Sequence, residues 1–319
     1  MNILIFGNGQ VGNFYLQHYT RQGVTATIAK DVDITDVSQV DRAIADFAPD
    51  VVINTAAKTS LEWCGNNKLQ AFNVNVLGAG NIAQVCDRRN VYLVHFSSGC
   101  IFSSVSGKDA KTEESAPNPA SYYGWTKVWS EEMVTFERSA GFRCLVLRPR
   151  QPVSAQVSPK NMLVKMLTFS KFVDTPNSGT VIEDLMTWTD ELVAREATGV
   201  YHVANSGYTT PFAIGQMIRE HILPDLEPEK ITKAELDSMT PNIRVDTVLD
   251  VEKLRGLGIE VAPYEERLRD VVARLAKNLS EMDGDALRLA LEQTARASRE
   301  RTRLNDVYPS LYESRVASS

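Results

Sequence analysis

The sequence predicts an α/β fold built on a doubly wound parallel sheet. Short apolar runs, of the length of buried parallel strands, alternate with longer helical stretches through the first 150 residues. A glycine-rich turn directly follows the first run, and small or polar residues follow the later ones. This alternation is typical of a parallel sheet covered by helices on both faces.

Composition and charge restrict the class of protein. The 319 residues are 43% hydrophobic, 23% charged and carry a net charge of −6, which suits a globular chain and gives no electrostatic footprint for nucleic acid or an anionic membrane. The four cysteines are scattered and lack the spacing of metal sites, so we expect a reduced, cytoplasmic protein without a metal. No basic leader or long apolar segment is visible, so neither a secretory signal nor a membrane span is expected.

The glycine-rich turn GNGQVG follows the apolar run at residues 1–6 and opens a helical stretch. In that context the motif indicates a Rossmann-type dinucleotide site. Gly7 permits the tight turn, Gly9 lets the backbone approach a pyrophosphate, and Gly12 allows close helix packing. The candidate cofactor contacts here are Gly7, Gly9, Gln10, Val11 and Gly12.

The end of the second predicted strand, at residues 24–29, bears on the choice of cofactor. Lys30 stands where an acidic ribose-binding residue is usual, and a cation there suits the 2′-phosphate of NADPH. Asp31 follows directly and Lys30 also fits a solvated surface, so NADH stays open. Asp33 and Ile34 fit the position that flanks an adenine ring.

The third and fourth predicted strands, at residues 51–54 and 92–96, end in small or polar residues. Because ligands bind beyond the carboxyl ends of parallel strands, we expect residues 55–58 and 97–100 to lie at the site. Asn75 either braces the turn after the third strand or is a surface amide. The further cofactor candidates are Thr55, Ala56, Ala57, Lys58 and Asn75.

The second half of the chain is predicted to interleave with the first. A fifth strand is expected at residues 144–148, and residues 199–203 have the character of another strand of the same sheet. The expected division is a cofactor domain at 1–150, to which 176–204 return, a smaller substrate-binding lobe at 151–175 and 205–280, and a helical extension at 281–319.

Two segments of this half carry further expectations. Residues 225–250 are polar, which predicts a loop-rich part of the lobe. The extension begins with Leu287, Leu289 and Leu291. We expect it to dock on its own subunit or on a neighbour, and a frayed terminus is the alternative.

Tyr123 and Lys127 are four residues apart, so they share a face if the segment is helical. Chance produces this spacing in many helices, where a partly buried tyrosine beside a solvated lysine explains it. Here the glycine turn provides a cofactor site and the fourth strand ends near Ser98, so the pair is a candidate for catalysis.

Several motifs, taken in order, resemble the extended short-chain dehydrogenase/reductases. Within them the chain is similar to the dTDP-4-dehydrorhamnose reductase family, and especially to its plant-type nucleotide-rhamnose synthases, which are epimerase-reductases. The resemblance spans residues 1 to about 275 and rests on the glycine turn, Glu62-Trp63-Cys64, Asn75-Val76, Ser98-Gly99-Cys100-Ile101-Phe102, Tyr123-Gly124-Trp125-Thr126-Lys127, Arg150-Gln151-Pro152-Val153-Ser154, Asn161 with Lys165, Thr175-Pro176-Asn177-Ser178, and Arg244 before Leu249-Asp250.

This resemblance implies hydride transfer from NADPH, with NADH as an alternative, to the ketone of a nucleotide-diphosphate sugar in dTDP-rhamnose biosynthesis. Tyr123 would protonate the C4 carbonyl oxygen, Ser98 would hold that oxygen, and Lys127 would tune Tyr123 and bind the nicotinamide ribose. Since a nearby ammonium and the oxidised nicotinamide favour the ionised phenol, we expect a lowered pKa for Tyr123.

The resemblance also implies a second activity. Cys100 and Lys165 match the pair that moves protons at C3 and C5 in the plant-type enzymes, although a buried cysteine is more commonly a small hydrophobe and a helix-surface lysine is ordinary. Arg150 either lines the nicotinamide side or pairs with an acid. The implied substrate contacts are Ser98 and Gly99 at the sugar, and Asn161 and Arg244 at the diphosphate.

The sequence departs from the family pattern at several positions, and these departures bear on which function is expected. The glycine turn is one residue shorter than usual, and Gly99-Cys100 replaces the Asp-Tyr of simple bacterial reductases, which favours a bifunctional enzyme. No Asp-Glu pair follows Ser98, so a 4,6-dehydratase is not expected. A 4-reductase alone and a non-catalytic, NADP-binding regulatory subunit are the alternatives. The sequence leaves the oligomeric state open, with a homodimer as one candidate.

Overall fold

The structure is a computed structural model that describes residues 1–103, 109–136, 138–240 and 243–298. Its strands are β1 (Asn2–Phe6), β2 (Thr25–Ile28), β3 (Val51–Asn54), β4 (Tyr92–Phe96), β5 (Cys144–Pro149), β6 (Pro152–Val153), β7 (Lys171–Val173), β8 (Thr180–Val181), β9 (Gly199–Val203) and β10 (Glu229–Ile231). Its α-helices are α1 (Gln10–Arg21), α2 (Val37–Phe47), α3 (Leu61–Asn66), α4 (Lys68–Phe72), α5 (Gly78–Arg88), α6 (Tyr122–Thr135), α7 (Met162–Met166), α8 (Ile182–Ala194), α9 (Pro211–His221), α10 (Lys233–Met239), α11 (Glu252–Arg255), α12 (Tyr264–Glu281) and α13 (Gly284–Ser298).

A six-stranded sheet in the order β2-β1-β3-β4-β5-β9 forms the centre of the fold. All of its neighbouring strands are parallel. The predicted doubly wound α/β fold is therefore confirmed, and the strand expected at residues 199–203 pairs with β5. The strand order reverses between β1 and β3, which is where such sheets bind ligands.

The strand runs are continuously apolar because alternate side chains of each strand enter hydrophobic cores on opposite faces of the sheet. Ile3 and Ile5 of β1 belong to one hydrophobic core, which also contains residues of α1 and α8. Leu4 and Phe6 belong to another, shared with α2 and α5. Since successive side chains of a strand point to opposite faces, helices on both sides bury every residue of the run.

A further hydrophobic core lies beside the sheet. It is built from α7, α9, α12 and α13, together with residues of β6, β7 and β8. Two small parallel pairs, β6 with β8 and β7 with β10, border this core. The division into a cofactor domain and a substrate lobe stays a prediction, although this separate core is what such a lobe requires.

The C-terminal extension is helical where the structure describes it. Leu287 and Leu291 of α13 are buried in the same core as α12, so this helix packs on its own subunit, while Leu289 is exposed. The predicted continuation at 299–319 lies outside the described residues. None of the helices in the described part of the chain combines the length and apolar character needed to cross a membrane.

The polar segment at 225–250 is more regular than expected. It contains β10 and α10, because Thr232 begins α10 with a capping box in which its hydroxyl accepts from the backbone of Glu235 and the Glu235 carboxylate accepts from the backbone of Thr232. This local signal was present in the sequence. A charged surface helix lacks the apolar stripe that usually reveals a helix.

Candidate functional site

The glycine turn lies where the order of the strands reverses. Gly7 has φ of 110°, and a Cβ there would lie 2.6 Å from Thr55 Oγ1 and 2.7 Å from Ala56 N. A Cβ on Gly12 would overlap the carbonyl oxygen of Gly7. These two glycines are therefore needed for the turn to pack against β3 and for α1 to pack against the turn.

Gly9 has a different environment, because a Cβ built there would meet open space. Gly9 is also the N-cap of α1 and provides no side-chain cap, so the first amides of this helix point outward unpaired by a side chain. Gln10 Nε2 is buried with no hydrogen-bond partner among the described residues. The open backbone, the helix N-terminus and the orphaned amide together fit a pyrophosphate.

The residues expected near the adenosine lie along the same edge. Lys30 is exposed after β2, while Ile34 is buried against Gly78 at the start of α5. The Asp33 carboxylate accepts hydrogen bonds from the backbone and hydroxyl of Thr35, so it orders its own turn. Val11 packs partly buried against the core beneath the sheet.

Asn75 braces the loop after β3. Its Oδ1 accepts from Lys58 N at 2.7 Å, and its Nδ2 donates to Lys58 O and to Thr126 Oγ1, both at 3.0 Å. The residue lies on a π-helical turn, Asn73–Leu77, a local widening that often occurs at functional sites. A surface amide is thus the wrong alternative. Because its amide is used within the protein, Asn75 supports the loop 55–58 rather than offering a free donor.

Loop 55–58 continues directly from β3 toward the same edge. Thr55 Oγ1 donates to Phe6 O at 3.0 Å, and Ala56 N donates to Asn54 Oδ1 at 3.0 Å. Ala57 is half-buried, and Lys58 is exposed with its ammonium over the ring of Trp63. The loop is therefore tied to both β1 and β3, beside the glycine turn.

Helix α6 carries Tyr123 and Lys127 to the end of β4. Tyr123 is 8% exposed, and its side chain lies near Ser98, which acts to lower the pKa of the phenol. Lys127 is 3% exposed and its Nζ donates to Phe96 O at 2.6 Å. The four-residue spacing thus turns both side chains toward the strand end that carries Ser98.

Gly124, to which the sequence alone assigned no role, decides how closely α6 approaches this strand end. A Cβ on Gly124 would lie 2.8 Å from Cys100 O and 2.7 Å from Pro119 Cβ. Ser121 starts the helix by accepting a hydrogen bond from Gly124 N at 3.1 Å. A glycine directly after Tyr123 was the signal that could have revealed this contact.

Burial controls the protonation of both α6 residues. Burial, with a smaller contribution from Cys100, raises the pKa of Tyr123, while the Ser98 hydrogen bond and Arg150 act in the opposite direction. The expected lowering is therefore wrong for the protein alone, because desolvation outweighs the nearby donors. Burial also lowers the pKa of Lys127 to about 8, against the opposing effects of Glu131, Cys64 and Cys100.

Cys100 lies on the short 3₁₀ turn Gly99–Ile101 and packs against the cluster that contains Tyr123. Its backbone N donates to Ser98 Oγ at 3.1 Å, and its Sγ accepts a hydrogen bond from Arg150 Nη1 at 3.0 Å. A Cβ on Gly99 would lie 3.0 Å from Leu249 and 3.3 Å from Arg150, so Gly99 is packed tightly between them.

Lys165 and Arg244 lie close enough to influence each other. Burial, and then the charge of Arg244, lowers the pKa of Lys165, which is half-buried on α7, whereas Arg244 is exposed. Asn161 differs from its expected role as a diphosphate ligand. It is fully buried, it caps α7, and both hydrogens of its amide go to backbone carbonyls, those of Ser154 and Gln156. Asn161 therefore shapes the loop before α7.

A family model, the RmlD substrate binding domain, matches residues 1–277. The chain belongs to this family.

Several relatives cover most of the chain. A bifunctional dTDP-4-dehydrorhamnose 3,5-epimerase/dTDP-4-dehydrorhamnose reductase of Arabidopsis thaliana is 29% identical over 84% of this chain and 91% of its own length. A trifunctional UDP-glucose 4,6-dehydratase/UDP-4-keto-6-deoxy-D-glucose 3,5-epimerase/UDP-4-keto-L-rhamnose-reductase of the same plant is 27% identical over 84% of this chain, which spans only 41% of that enzyme.

Solved structures show the same fold. The UDP-rhamnose synthase of Acanthamoeba polyphaga mimivirus superposes with a TM-score of 0.79 at 25% identity, covering 86% of this chain and 99% of the viral one. A Bacillus anthracis dTDP-4-dehydrorhamnose reductase in complex with NADP has a TM-score of 0.76 at 21% identity, covering 87% and 100% of the two chains. The expected extended short-chain dehydrogenase/reductase class is confirmed, and with it an oxidoreductase like the dTDP-4-dehydrorhamnose reductases.

Behind the site, this RmlD-family chain has two polar networks that sequence reasoning missed. Arg148 pairs with Glu131 at 2.6 Å, and Ser97 Oγ donates to the same carboxylate. His95 Nδ1 accepts a hydrogen bond from Asn54 Nδ2. In that tautomer His95 Nε2 carries the proton and donates it to Ser130 Oγ. Burial holds the pKa of His95 well below its usual range, so the ring is neutral.

Proposed function

We propose that this protein is an NADPH-dependent epimerase/reductase that converts an NDP-4-keto-6-deoxyhexose to an NDP-L-rhamnose-type sugar. Its RmlD-family membership supports the coarser part, a nucleotide-sugar 4-reductase. The observation that carries the proposal is the joint placement of Ser98, Cys100 and Tyr123 at the end of β4, with Lys127 buried beside them. An acid for C4 and a thiol for the neighbouring carbons then serve one pocket.

In the reduction, Tyr123 is the proton donor. Its raised pKa keeps the phenol neutral at neutral pH, which is the form that can protonate the C4 oxygen. Ser98, which lies near that phenol, would hold the same oxygen as charge develops on it. Bound NADPH would supply the hydride. Lys127 uses one of its three hydrogens on Phe96 O, which leaves donors for the nicotinamide ribose.

The epimerisation is assigned to Cys100 and Lys165. Hydrogens next to the ketone are acidic, so a thiolate at Cys100 can remove one from C3 or C5. A lowered pKa makes Lys165 a better proton donor than an ordinary ammonium, since it releases its proton more readily. The similarity to bifunctional and UDP-rhamnose-forming enzymes supports this part of the proposal.

Substrate binding is assigned to Gly99 and Ser98 at the sugar and to Arg244 at the diphosphate. The exposed guanidinium of Arg244 is available for a bidentate contact with phosphate oxygens. Asn161 is left out, because its amide is already satisfied by the chain.

Cofactor binding is assigned to the glycine turn, loop 55–58, and Lys127, with Lys30, Asp33 and Ile34 at the adenosine end. Gly9 and the N-terminus of α1 would receive the pyrophosphate, and the exposed Lys30 would meet the 2′-phosphate. Lys30→Ala should weaken NADPH binding about tenfold and leave NADH binding nearly unchanged, measured by quenching of protein fluorescence. Equal losses for both cofactors would contradict the preference for NADPH.

The decisive experiment offers dTDP- and UDP-4-keto-6-deoxyglucose, not epimerised, with NADPH or NADH and follows cofactor oxidation. We expect oxidation without any added epimerase and an L-rhamnose-type product identified by NMR. Turnover that requires an added 3,5-epimerase would leave a 4-reductase alone. A protein that binds NADPH without any turnover would instead be a regulatory subunit.

We also propose a homodimer held by one face of α6. Trp125, Trp129 and Met133 recur at helical spacing on α6, and Phe136, which is 64% exposed, follows directly after the helix in extended backbone. The two tryptophan rings stack at 5.8 Å. Light scattering should give twice the chain mass, and Phe136→Asp should shift it toward one chain. A single-chain mass for the unaltered protein at every concentration would exclude the dimer.

The four free cysteines support a reducing, cytoplasmic setting.

A further inference from the structure

Among the described residues, Arg150 is a buried cation that makes no direct contact with a carboxylate, and its nearest acid, Asp246, is reached only through Asn177. The residue is 2% exposed, and among the described residues its guanidinium meets a sulfur, an amide oxygen and a backbone carbonyl rather than a carboxylate. Its Nε is buried with no hydrogen-bond partner in the described part of the chain. A buried guanidinium usually needs a carboxylate, because removing its charge from water is costly.

The surroundings fix Arg150 in one position. Its backbone N donates to Thr180 Oγ1 at 2.9 Å, and its Nη2 donates to Asn177 Oδ1 at 2.6 Å and to Val245 O. Asn177 is held in turn, since its Nδ2 donates to Asp246 Oδ1 at 2.9 Å. The remaining Nη1 is thereby aimed at Cys100 Sγ, 3.0 Å away.

Arginine at this place can only donate. Its guanidinium keeps its proton at any pH that the protein tolerates, so it cannot act as the acid or base itself. A fixed positive charge in a partly desolvated site favours an anion at the sulfur that it touches. Cys64 lies in the same cluster, but its Sγ donates to the backbone carbonyl of Lys58 instead of accepting from a guanidinium.

We propose that Arg150 is the positioning residue that aims Cys100 and stabilises its thiolate for proton abstraction. The inference rests on the proposed epimerase function. The thiolate Sγ takes the proton from the carbon next to the ketone, the C–H electron pair becomes the enolate, and the ammonium of Lys165 returns a proton to that carbon. This leaves a Cys100 thiol and a neutral Lys165 amine, which exchange protons with water to restore the starting state.

The test measures how fast iodoacetamide modifies Cys100, followed by mass spectrometry of its peptide at pH 7 and pH 9.5. Only the thiolate reacts, so the ratio of the two rates reports its formation and cancels differences in access. Arg150→Met should slow the reaction at pH 7 by at least about tenfold and restore it at pH 9.5, with Arg150→Lys intermediate. Arg143→Met, at the other end of β5, is the control and should change neither rate.

Two results would overturn the inference. One is an unchanged rate at pH 7 in folded Arg150→Met protein, and the other is an equal loss at both pH values, which would indicate a purely structural role. If Arg150→Met does not fold, the same labelling rates measured on the unaltered protein test the inference. Its Cys100 should show a much smaller rise in rate from pH 7 to pH 9.5 than the same peptide in urea, and an equal rise would refute the proposal.

The labelling needs neither substrate nor cofactor, so its outcome is separate from that of the proposed function. A stabilised thiolate without turnover of un-epimerised keto-sugar would remove the epimerase assignment and leave the effect of Arg150. Turnover without a stabilised thiolate would remove the role of Arg150 alone.

Discussion

Tyr123 and Lys127 show how a buried environment sets the chemistry of single residues. Both lose access to water, and for both the neutral form is favoured, which raises the pKa of the phenol and lowers that of the ammonium. The pair is thus prepared to donate a proton from Tyr123 while Lys127 titrates close to neutrality. A surface helix with the same spacing would have neither property.

Removing the phenol tests the acid. Tyr123→Phe should lower kcat/KM about 10²–10⁴-fold, the usual contribution of general acid catalysis, while NADPH binding stays within a few-fold. Tyr122→Phe is the matched control, since the adjacent ring packs on Trp129 and should retain activity. The measurements are the rate of NADPH oxidation and a titration of NADPH binding for both variants. Full activity in Tyr123→Phe would exclude the assigned role.

The lowered pKa of Lys127 predicts a pH dependence. Lys127 is a cation below pH of about 8 and loses its proton above it, so the rate should hold at lower pH and fall to about half near pH 8. Lys127→Arg stays charged and should lack this alkaline decline even though its rate is lower. The measurement is kcat between pH 6 and 10. A decline that persists in Lys127→Arg would assign it to another group.

Helix α6 and the π-helical turn before α5 show how elements align the site. Ser121 caps α6, Gly124 lets it approach the Cys100 loop, and Thr126 accepts a hydrogen bond from the brace at Asn75. The loop after β3 and the helix that carries Tyr123 are therefore held by a common set of contacts.

Gly124→Ala tests that close approach. The added Cβ would meet the backbone oxygen of Cys100 at 2.8 Å, so α6 must shift, which should cost about 1–3 kcal/mol of unfolding free energy and also reduce turnover. Gly141→Ala is the control, because a Cβ at Gly141 meets open space. Urea denaturation and NADPH oxidation would compare the two. Equal stability and activity would show that α6 tolerates the shift.

At the scale of the molecule, the site residues are carried by elements that pack in different hydrophobic cores. The sheet and its covering helices hold the glycine turn, Ser98 and α6, whereas the second core holds α7, which carries Lys165, and α13 packs on that core. The C-terminal extension therefore stabilises the part of the chain that would provide the substrate-side residues.

Two leucines of α13, one buried and one exposed, test whether this helix packs on the second core. Leu291→Ala should lower the unfolding free energy by about 2–5 kcal/mol, because its side chain is fully buried in the second core. Leu289→Ala should change it by less than about 0.5 kcal/mol, since that side chain is 55% exposed. Chemical denaturation measures both. Equal effects would mean that α13 does not pack as the structure shows.

Much of this protein follows from local sequence. Strand runs, the glycine spacing and the four-residue spacing of Tyr123 and Lys127 depend on periods of a few residues, so they predicted the sheet, the turn and the shared face. Residues whose role depends on distant partners were predicted less well. Asn161 was expected at the diphosphate, but its amide is consumed by its own loop, and α10 was hidden in a polar segment.

The sequence by itself determined the six strands of the main sheet, the nucleotide-type turn and the candidate acid. The tertiary structure alone decided that Arg150 meets Cys100 across 50 positions of the chain, and that burial reverses the expected pKa shift of Tyr123. The physical reason is that helix and strand periods are local, whereas desolvation and charge act through space and sum over segments that only folding brings together.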